Sequence, residues 1–177
     1  MLAYLFVAIA LAVHLTLLPH PWTFTPVAGA LLFFGARGPR RQLWIPFALL
    51  AVSDLLLNKF VYHYPFTWDQ FITWAWYAAI IWLGTNLREN TKPLRVIGAA
   101  LASSVSFFVL SNFGVWAAGT MYPHTWAGLM TSYTLGLPFF RPAVEGDLLF
   151  TAAMFATPSL LYVLGVQGKH GDHKASA

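Results

Sequence analysis

Six apolar runs divide the chain, and short polar or proline-containing stretches separate them. The runs cover residues 2–18, 26–36, 43–58, 68–83, 96–117 and 146–166. A helix that crosses the hydrocarbon core of a bilayer needs about 17–25 residues. We therefore predict an all-α integral membrane protein, a bundle of six transmembrane helices. The run 26–36 is shorter than this and is either re-entrant or buried among its neighbours.

Local signals support two of the predicted helix starts. We expect Thr25 to be an N-cap residue, with Pro26 in the first helical position. Thr67 and Gln70 have the spacing of a capping box. In the last run, Pro158 is expected to kink the helix.

The stretch 112–147 breaks the pattern of apolar runs. Glycine and proline interrupt it at Gly114, Gly119, Pro123, Gly128, Gly136 and Pro138. Connections longer than about 12–15 residues are usually functional or disordered. Disorder would leave many aromatic rings in water. We therefore predict a long ordered outer loop between helices 5 and 6, which caps a site on one membrane face.

Composition supports a membrane location. Hydrophobic residues make up 58% of the 177 positions and charged residues 9%, whereas soluble domains carry about 25% charged residues. The run 2–18 lacks a charged leading segment and a small-residue cleavage site, so we expect a retained helix rather than a signal peptide. We divide the chain into one transmembrane domain, 1–166, and a polar cytoplasmic tail, 167–177. The chain has no cysteine, which excludes disulfides and thiolate metal sites.

The basic residues predict the orientation. In the six-span arrangement eight of the 10 Lys and Arg residues fall on one side, and only Lys59 and Arg141 fall on the other. The positive-inside rule makes the first side cytoplasmic. Both termini are then cytoplasmic, the stretch 112–147 faces outward, and the expected location is the bacterial inner membrane. We expect no nucleic-acid partner, because no basic face is interleaved with exposed aromatic residues.

In this topology the polar residues of the apolar runs gather at the outer ends of the helices. An ionisable residue inside a span costs about 2.5–3.5 kcal/mol on insertion scales and usually marks a functional site. We predict one outward-facing substrate-binding pocket, with Arg141 at its rim or paired with an acid. Its residues are Asp54, Asn112, Trp116, Tyr122, His124, Trp126 and Arg141.

Structural alternatives exist for the acidic residues. Asp54 is equally well explained by an ion pair with Lys59 or Arg141, or by capping of a neighbouring helix. Glu145 and Asp147 are expected at the start of the sixth helix, where acids stabilise the N-terminus through the helix dipole.

We predict neither a catalytic site nor a metal site. The chain contains no HExxH, GxSxG, P-loop or dinucleotide-binding motif, so we do not expect an enzyme or an ATPase. The alternative to ligand binding for Asn112 is a hydrogen bond between two helices. No cofactor is expected, and His14 is interpreted as a packed or interfacial histidine. The alternative is that His14 binds a metal-centred macrocycle.

Four strings of residues resemble a known family. They are FTPVAGALLFFGA (24–36), LLAVSDLLLNKF (49–60), SNFGVWAAGTMYPHTWAGL (111–129) and LPFFRPAVEGDLLF (137–150). They resemble small bacterial membrane proteins that are grouped with the substrate-binding S components of energy-coupling-factor transporters. The resemblance implies a six-helix bundle with an outward-facing pocket capped by loops. The chain departs from the family at Trp22, Thr23 and Phe24, where members typically have Pro-Asn-Phe.

We therefore expect a solute-binding membrane subunit for uptake of a small molecule, vitamin-like or heterocyclic, because aromatic walls with a few polar groups suit such ligands. Its partners would be the lipid bilayer, the solute and a complex of a coupling subunit with its ATPases. S components commonly contact the coupling subunit through small residues on the first helix, and Ala8 and Ala12 have a suitable spacing. The alternative is a structural subunit of a respiratory or photosynthetic complex, in which the aromatic rings and His14 pack against pigments or partner helices.

Overall fold

The structure, a computed structural model, describes residues 1–15, 24–63 and 65–174, with side chains up to residue 165. Helices are the only regular secondary structure in these ranges. They are α1 (Leu2–Leu15), α2 (Val27–Arg37), α3 (Trp44–Leu57), α4 (Gln70–Thr85), α5 (Pro93–Ala118) and α6 (Trp126–Lys174). A 3₁₀ turn precedes α3 and a π turn follows it. Trp22 and Thr23, where the chain departs from the family that it resembles, lie outside the described residues.

Helix α2 forms the centre of the bundle. Every residue from Val27 to Ala36 is buried, and α1, α4, α5 and α6 all pack against it. Eleven residues extend about 16 Å at 1.5 Å per residue, roughly half of a bilayer core. The short apolar run 26–36 is therefore a helix buried among its neighbours, one of the two arrangements that its length allows.

Two glycines bring α2 and α4 into backbone contact. A Cβ atom added to Gly35 would lie 2.2 Å from the carbonyl oxygen of Ile81 and 2.9 Å from the Cα of Gly84. A Cβ added to Gly84 would lie 2.4 Å from the carbonyl oxygen of Leu32. Only residues without a side chain allow helices to approach this closely, as small residues do at helix contacts in membranes.

Helices α5 and α6 form an antiparallel pair around a turn at 119–125. The Tyr133 hydroxyl donates to the carbonyl of Val109 at 3.0 Å, and the Ser132 hydroxyl donates to the carbonyl of Asn112 at 3.0 Å. Farther along α6, the second half of this long helix turns to α2, where Phe155 packs edge-on against Phe33 with ring centroids 5.2 Å apart. Helix α6 thus links the hairpin to the centre of the bundle.

The predicted long loop between helices 5 and 6 is wrong. Helix α6 already begins at Trp126 and has 49 residues, and Pro138, Pro142 and Pro158 lie inside it. Glu145 and Asp147 accordingly lie well inside α6 and not in its first turn. The physical reason is that an unpaired backbone group in an apolar medium costs several kcal/mol, so a helix persists through glycine and proline there. The same residues would end a helix in water.

Among the described residues, three helical segments are long and apolar enough to cross a membrane. They are Arg40–Tyr62, Pro93–Ala118 and Trp126–Gly165. Helices α1 and α2 are apolar but shorter. The length and composition of these helices thus support a helical membrane protein. They do not confirm the prediction of six transmembrane helices.

Six basic residues collect at one end of the bundle. Arg37 donates to the hydroxyl of Thr91 at 3.3 Å, and Arg88 donates to the carbonyl of Gly38 at 2.8 Å. These contacts join the C-terminal ends of α2 and α4 to the start of α5. Burial lowers the pKa of the Arg88 guanidinium, and the nearby charge of Arg40 lowers it further. We call this the basic end; its members are Arg37, Arg40, Arg41, Arg88, Lys92 and Arg95.

The contact between α2 and α4 predicts the effect of adding one methyl group. We expect Gly84→Ala to destabilise the bundle by about 1–3 kcal/mol, the usual cost of overpacking, because the new methyl group meets backbone atoms that cannot rotate away. Gly98 on α5 is the matched control, since nothing lies within 4 Å of an added Cβ there. Gly98→Ala should leave stability unchanged or raise it by up to about 1 kcal/mol through helix propensity. Thermal unfolding of both variants in detergent measures the difference, and equal melting temperatures would contradict the close contact.

Candidate functional site

A buried carboxylate joins three helices in the half of the bundle away from the basic end. Asp54 on α3 has 7% of its surface exposed. Its Oδ1 lies 2.9 Å from Nε2 of His14 on α1. The indole Nε1 of Trp74 on α4 donates to Oδ2 at 3.1 Å, and the Tyr77 hydroxyl donates to Oδ1 at 3.3 Å. We call these four residues the Asp54 network.

Burial of the Asp54 carboxylate explains why these polar partners surround it. A buried carboxylate is tolerated only when other groups pair with it and hydrogen-bond to it. His14 supplies the possible counter-charge and the two ring donors of α4 supply further hydrogen bonds. The partners therefore come from α1 and α4, and the expected pairing with Lys59 or Arg141 is not found among the described ion pairs.

A cavity of about 200 Å³ lies beside this network. His14, Thr25, Tyr77 and Asp147 supply its polar atoms, and Trp76 and Phe107 supply aromatic rings. Ala28 and Ala143 contribute small apolar walls. These residues come from α1, α2, α4, α5 and α6 and from the residues before α2. We call this space the central cavity.

The second buried carboxylate, Asp147, lines the central cavity. It has 7% of its surface exposed, and its Oδ2 accepts a 2.6 Å hydrogen bond from the Ser104 hydroxyl of α5. No basic side chain of the described residues lies within ion-pair distance of it. One turn later on α6, the buried Thr151 hydroxyl has no described hydrogen-bond partner. Thr151 packs against Gly29 of α2. A Cβ atom added to Gly29 would lie 3.1 Å from the Thr151 hydroxyl oxygen.

A smaller cavity of about 160 Å³ lies between α5 and α6. It shares Phe107 and Ala143 with the central cavity and contains Asn112. The Asn112 side-chain amide donates to the carbonyl of Phe108 at 2.8 Å, which is within its own helix. Gly136 of α6 leaves the space for this amide, because an added Cβ would lie 2.4 Å from its oxygen.

The aromatic residues of the predicted site lie at the turn between α5 and α6. The Trp116 indole donates to the carbonyl of Pro123 at 3.0 Å, and the His124 ring nitrogen lies 3.2 Å from the carbonyl oxygen of Gly119. The rings of Trp116 and His124 pack edge-on at 5.8 Å. Tyr122 lies in the same turn, and Trp126, at the start of α6, is 74% exposed. The turn is thus closed by its own side chains.

Arg141 lies on the exposed surface of α6. Its Nε donates to Glu145 one turn later at 2.8 Å. The predicted site residues therefore occupy separate places: the Asp54 network, the smaller cavity, the turn and the surface of α6. Trp116 and His124 are brought together, whereas neither has a described contact with Asp54.

Sequence reasoning missed the residues that complete the buried polar groups. Trp74, Tyr77 and Ser104 sit on apolar helices and carry no motif, so nothing in the sequence pointed to them. Asp147 had a usable signal, since it lies four residues before Thr151 inside an apolar stretch. Treating the prolines before it as internal to a helix would have placed it at the depth of the core.

Metal binding has no support within the part of the chain that is described. No group of three or more His, Cys, Asp or Glu side chains is arranged there to hold a metal ion. The Nε2 atom of His14 is occupied by the hydrogen bond to Asp54. Binding of a metal-centred macrocycle by His14 is the alternative to a packed histidine, and it stays an untested hypothesis.

The chain belongs to DUF6580, a family of unknown function, whose model matches residues 1–167. Neither the search of curated proteins nor the search of solved structures found a significant match. The matched range includes Asp54, Asp147 and the residues that line the central cavity and the smaller cavity.

The Asp54 network predicts a graded response to substitution. Asp54→Ala removes the acceptor of three side chains, and we expect a loss of about 3–5 kcal/mol, the cost of breaking a buried charged pair. Asp54→Asn keeps one acceptor oxygen and should cost less. Glu89→Gln is the control, because Glu89 is an exposed acid outside the helices. Thermal unfolding in detergent should give the order Glu89→Gln, Asp54→Asn, Asp54→Ala from most to least stable; an Asp54→Ala protein as stable as the control would refute the role of the network.

Proposed function

We propose that this protein is a membrane subunit that binds a small solute in the central cavity for uptake into the cell. The observation that carries the proposal is a cavity between the helices whose wall combines a buried carboxyl group, a histidine, a tyrosine and further aromatic rings. Binding sites for small molecules typically combine apolar and aromatic walls with a few fixed polar groups.

The position of the cavity supports the direction of transport. The Asp54 network and the central cavity lie near the C-terminal ends of α1 and α3 and the start of α2, away from the basic end. The positive-inside rule would place the basic end in the cytoplasm, and with it both chain termini. The cavity then lies toward the outer face of a bacterial inner membrane, where a solute to be imported would arrive.

The volume of the cavity limits the size of the solute that it can hold. About 200 Å³ is below the range of about 300–1,000 Å³ that is usual for drug-sized ligands. A small heterocycle or amine fits this volume, and a larger vitamin requires the helices to move apart.

Helix α1 offers a surface for a coupling subunit with its ATPases. Ala3, Phe6, Val7 and Ala10 of this helix are buried in the bundle. Ala8 and Ala12 are exposed, so they are free to contact lipid or a partner helix. Their spacing permits close helix approach, and the resemblance to S components of energy-coupling-factor transporters points to the same helix.

Filling the central cavity tests the proposed binding site. Ala143→Leu adds three carbon atoms to the cavity wall and should exclude the solute, while Ala152→Leu makes the same change on the exposed surface of α6. Purification from native membranes in gentle detergent, followed by mass spectrometry, should find a small molecule with the wild-type and Ala152→Leu proteins. We expect Ala143→Leu to reduce its amount at least about tenfold, as a loss of about 1.4 kcal/mol or more in binding would. Equal amounts in all three would exclude the central cavity as the site.

Cysteine labelling tests the orientation. Since the chain has no cysteine, a single introduced cysteine is the only thiol that a labelling reagent can modify. Replacements at His63 and Thr120, both exposed and away from the basic end, should react with a membrane-impermeant reagent in intact cells. Replacements at Arg40 and Lys92, exposed at the basic end, should react only after the cells are opened. Labelling of Arg40→Cys in intact cells would reverse the proposed orientation.

A further inference from the structure

We propose that the solute in the central cavity is a small organic ammonium ion and that Asp147 is its counter-ion. This inference rests on the proposed function, because it assigns a chemical class to the solute of the same cavity. It follows from the charges around the cavity, from the residue types in its wall and from its volume.

The two buried carboxylates differ in their partners. Asp54 has three described side-chain partners, one of them a histidine. Asp147 has one described side-chain partner, the neutral hydroxyl of Ser104. Buried charges in proteins are paired or coordinate metals, and Asp147 has no basic partner among the described residues. Asp147 is therefore the buried carboxyl group without a basic partner among the described residues.

The described basic side chains are all engaged or located elsewhere. Six of them form the basic end, at the other end of the bundle. Arg141 pairs with Glu145 on the surface of α6, and Lys59 lies over the ring of Phe60 at 5.3 Å. His14 also lines the cavity, but its Nε2 faces Asp54, so a charge on the histidine is balanced there. No described basic side chain is therefore placed to serve as the counter-charge of Asp147.

The cavity wall favours an organic cation over a metal ion. Hard metal cations such as Ca²⁺ take about six to eight oxygen ligands, whereas the side chains of the wall supply oxygens from Thr25, Tyr77 and Asp147 only. The rings of Trp76, Tyr77 and Phe107 also line the cavity. Aromatic rings attract ammonium groups through the cation–π interaction. A carboxylate combined with aromatic walls is a suitable environment for an alkyl- or arylammonium ion.

The aromatic rings of the cavity wall are held in place by contacts within the protein. The indole nitrogen of Trp76 donates to the Ser106 hydroxyl at 3.0 Å, and its ring packs against Phe107 with centroids 4.8 Å apart. The hydroxyl of Tyr77 is held by Asp54. The rings are thus oriented by contacts that do not involve a ligand, so the wall is formed before a solute binds.

Matched pairs of charged and neutral probes test the inference. The purified full-length protein is titrated with benzylamine and with benzyl alcohol, its uncharged counterpart, and with methylammonium and tetramethylammonium, using calorimetry and thermal shift. We expect benzylamine to bind at least about tenfold more tightly than benzyl alcohol, since hydrogen bonds to charged groups contribute about 1.5–3 kcal/mol. Asp147→Asn should reduce this ratio to about one. Glu145→Gln, a neutralised acid on the exposed side of the same helix, should keep the wild-type ratio.

A second variant covers the case in which Asp147→Asn fails to fold. Ser104→Ala keeps the carboxylate and removes its neutral donor, so preference for benzylamine should persist or increase. A preference for benzylamine that disappears in Ser104→Ala, which keeps the carboxylate, would overturn the assignment. A preference that is unchanged in a folded Asp147→Asn protein would do the same.

The remaining outcomes separate this inference from the proposed function. Equal binding of benzyl alcohol and benzylamine, reduced by Ala143→Leu, overturns the ammonium ion and leaves a solute-binding cavity. Stabilisation by sodium chloride with no response to any ammonium probe assigns Asp147 to a metal ion and overturns the inference. If no probe binds and no small molecule copurifies with the wild type, both the inference and the proposed function fail.

Discussion

The backbone contact between α2 and α4 is the constraint on which the rest of the bundle depends. Gly35 and Gly84 let the two helices meet without side chains between them. Since α2 is buried on all sides, its neighbours are arranged around it, and the glycine contact fixes how closely α4 approaches. The position of α4 then decides where Trp74, Trp76 and Tyr77 lie. A polar network and a cavity wall both follow from one glycine on each side of a helix contact.

Two buried carboxylates lie near the same end of the bundle but play different parts. Asp54 is satisfied by three side chains from two helices, which makes it a structural tie between α1, α3 and α4. Asp147 faces the central cavity with one neutral donor. An acidic residue inside a membrane span is costly, and no described basic residue offsets that cost at Asp147. This difference between the two acids is why we propose Asp147, and not Asp54, as the residue that binds the solute.

The sequence was sufficient for the class of fold and insufficient for the site. The apolar runs correctly predicted a helical protein with spans long enough for a membrane, and a short second helix. They failed at 126–147, because glycine and proline were interpreted as they behave in water, whereas an apolar environment favours continued helix. The partner of Asp54 was also out of reach: His14 lies 40 positions away, and no pattern within either helix encodes which faces meet. A search for acids inside apolar stretches would have found Asp147.

The continuous α6 changes how a solute can reach the central cavity. A loop of 36 residues, such as the sequence predicted over 112–147, would have opened and closed as a cap. The actual turn has seven residues, 119–125, and is held by the contacts of Trp116 and His124. A turn of this length, held by its own side chains, does not form a cap of the predicted kind. Pro138 and Pro142 each remove a backbone donor from α6 within about three turns of Asp147, so this is the part of the helix that its own hydrogen bonds hold least firmly. The residue that would bind the solute and the section of helix best able to bend thus lie next to each other.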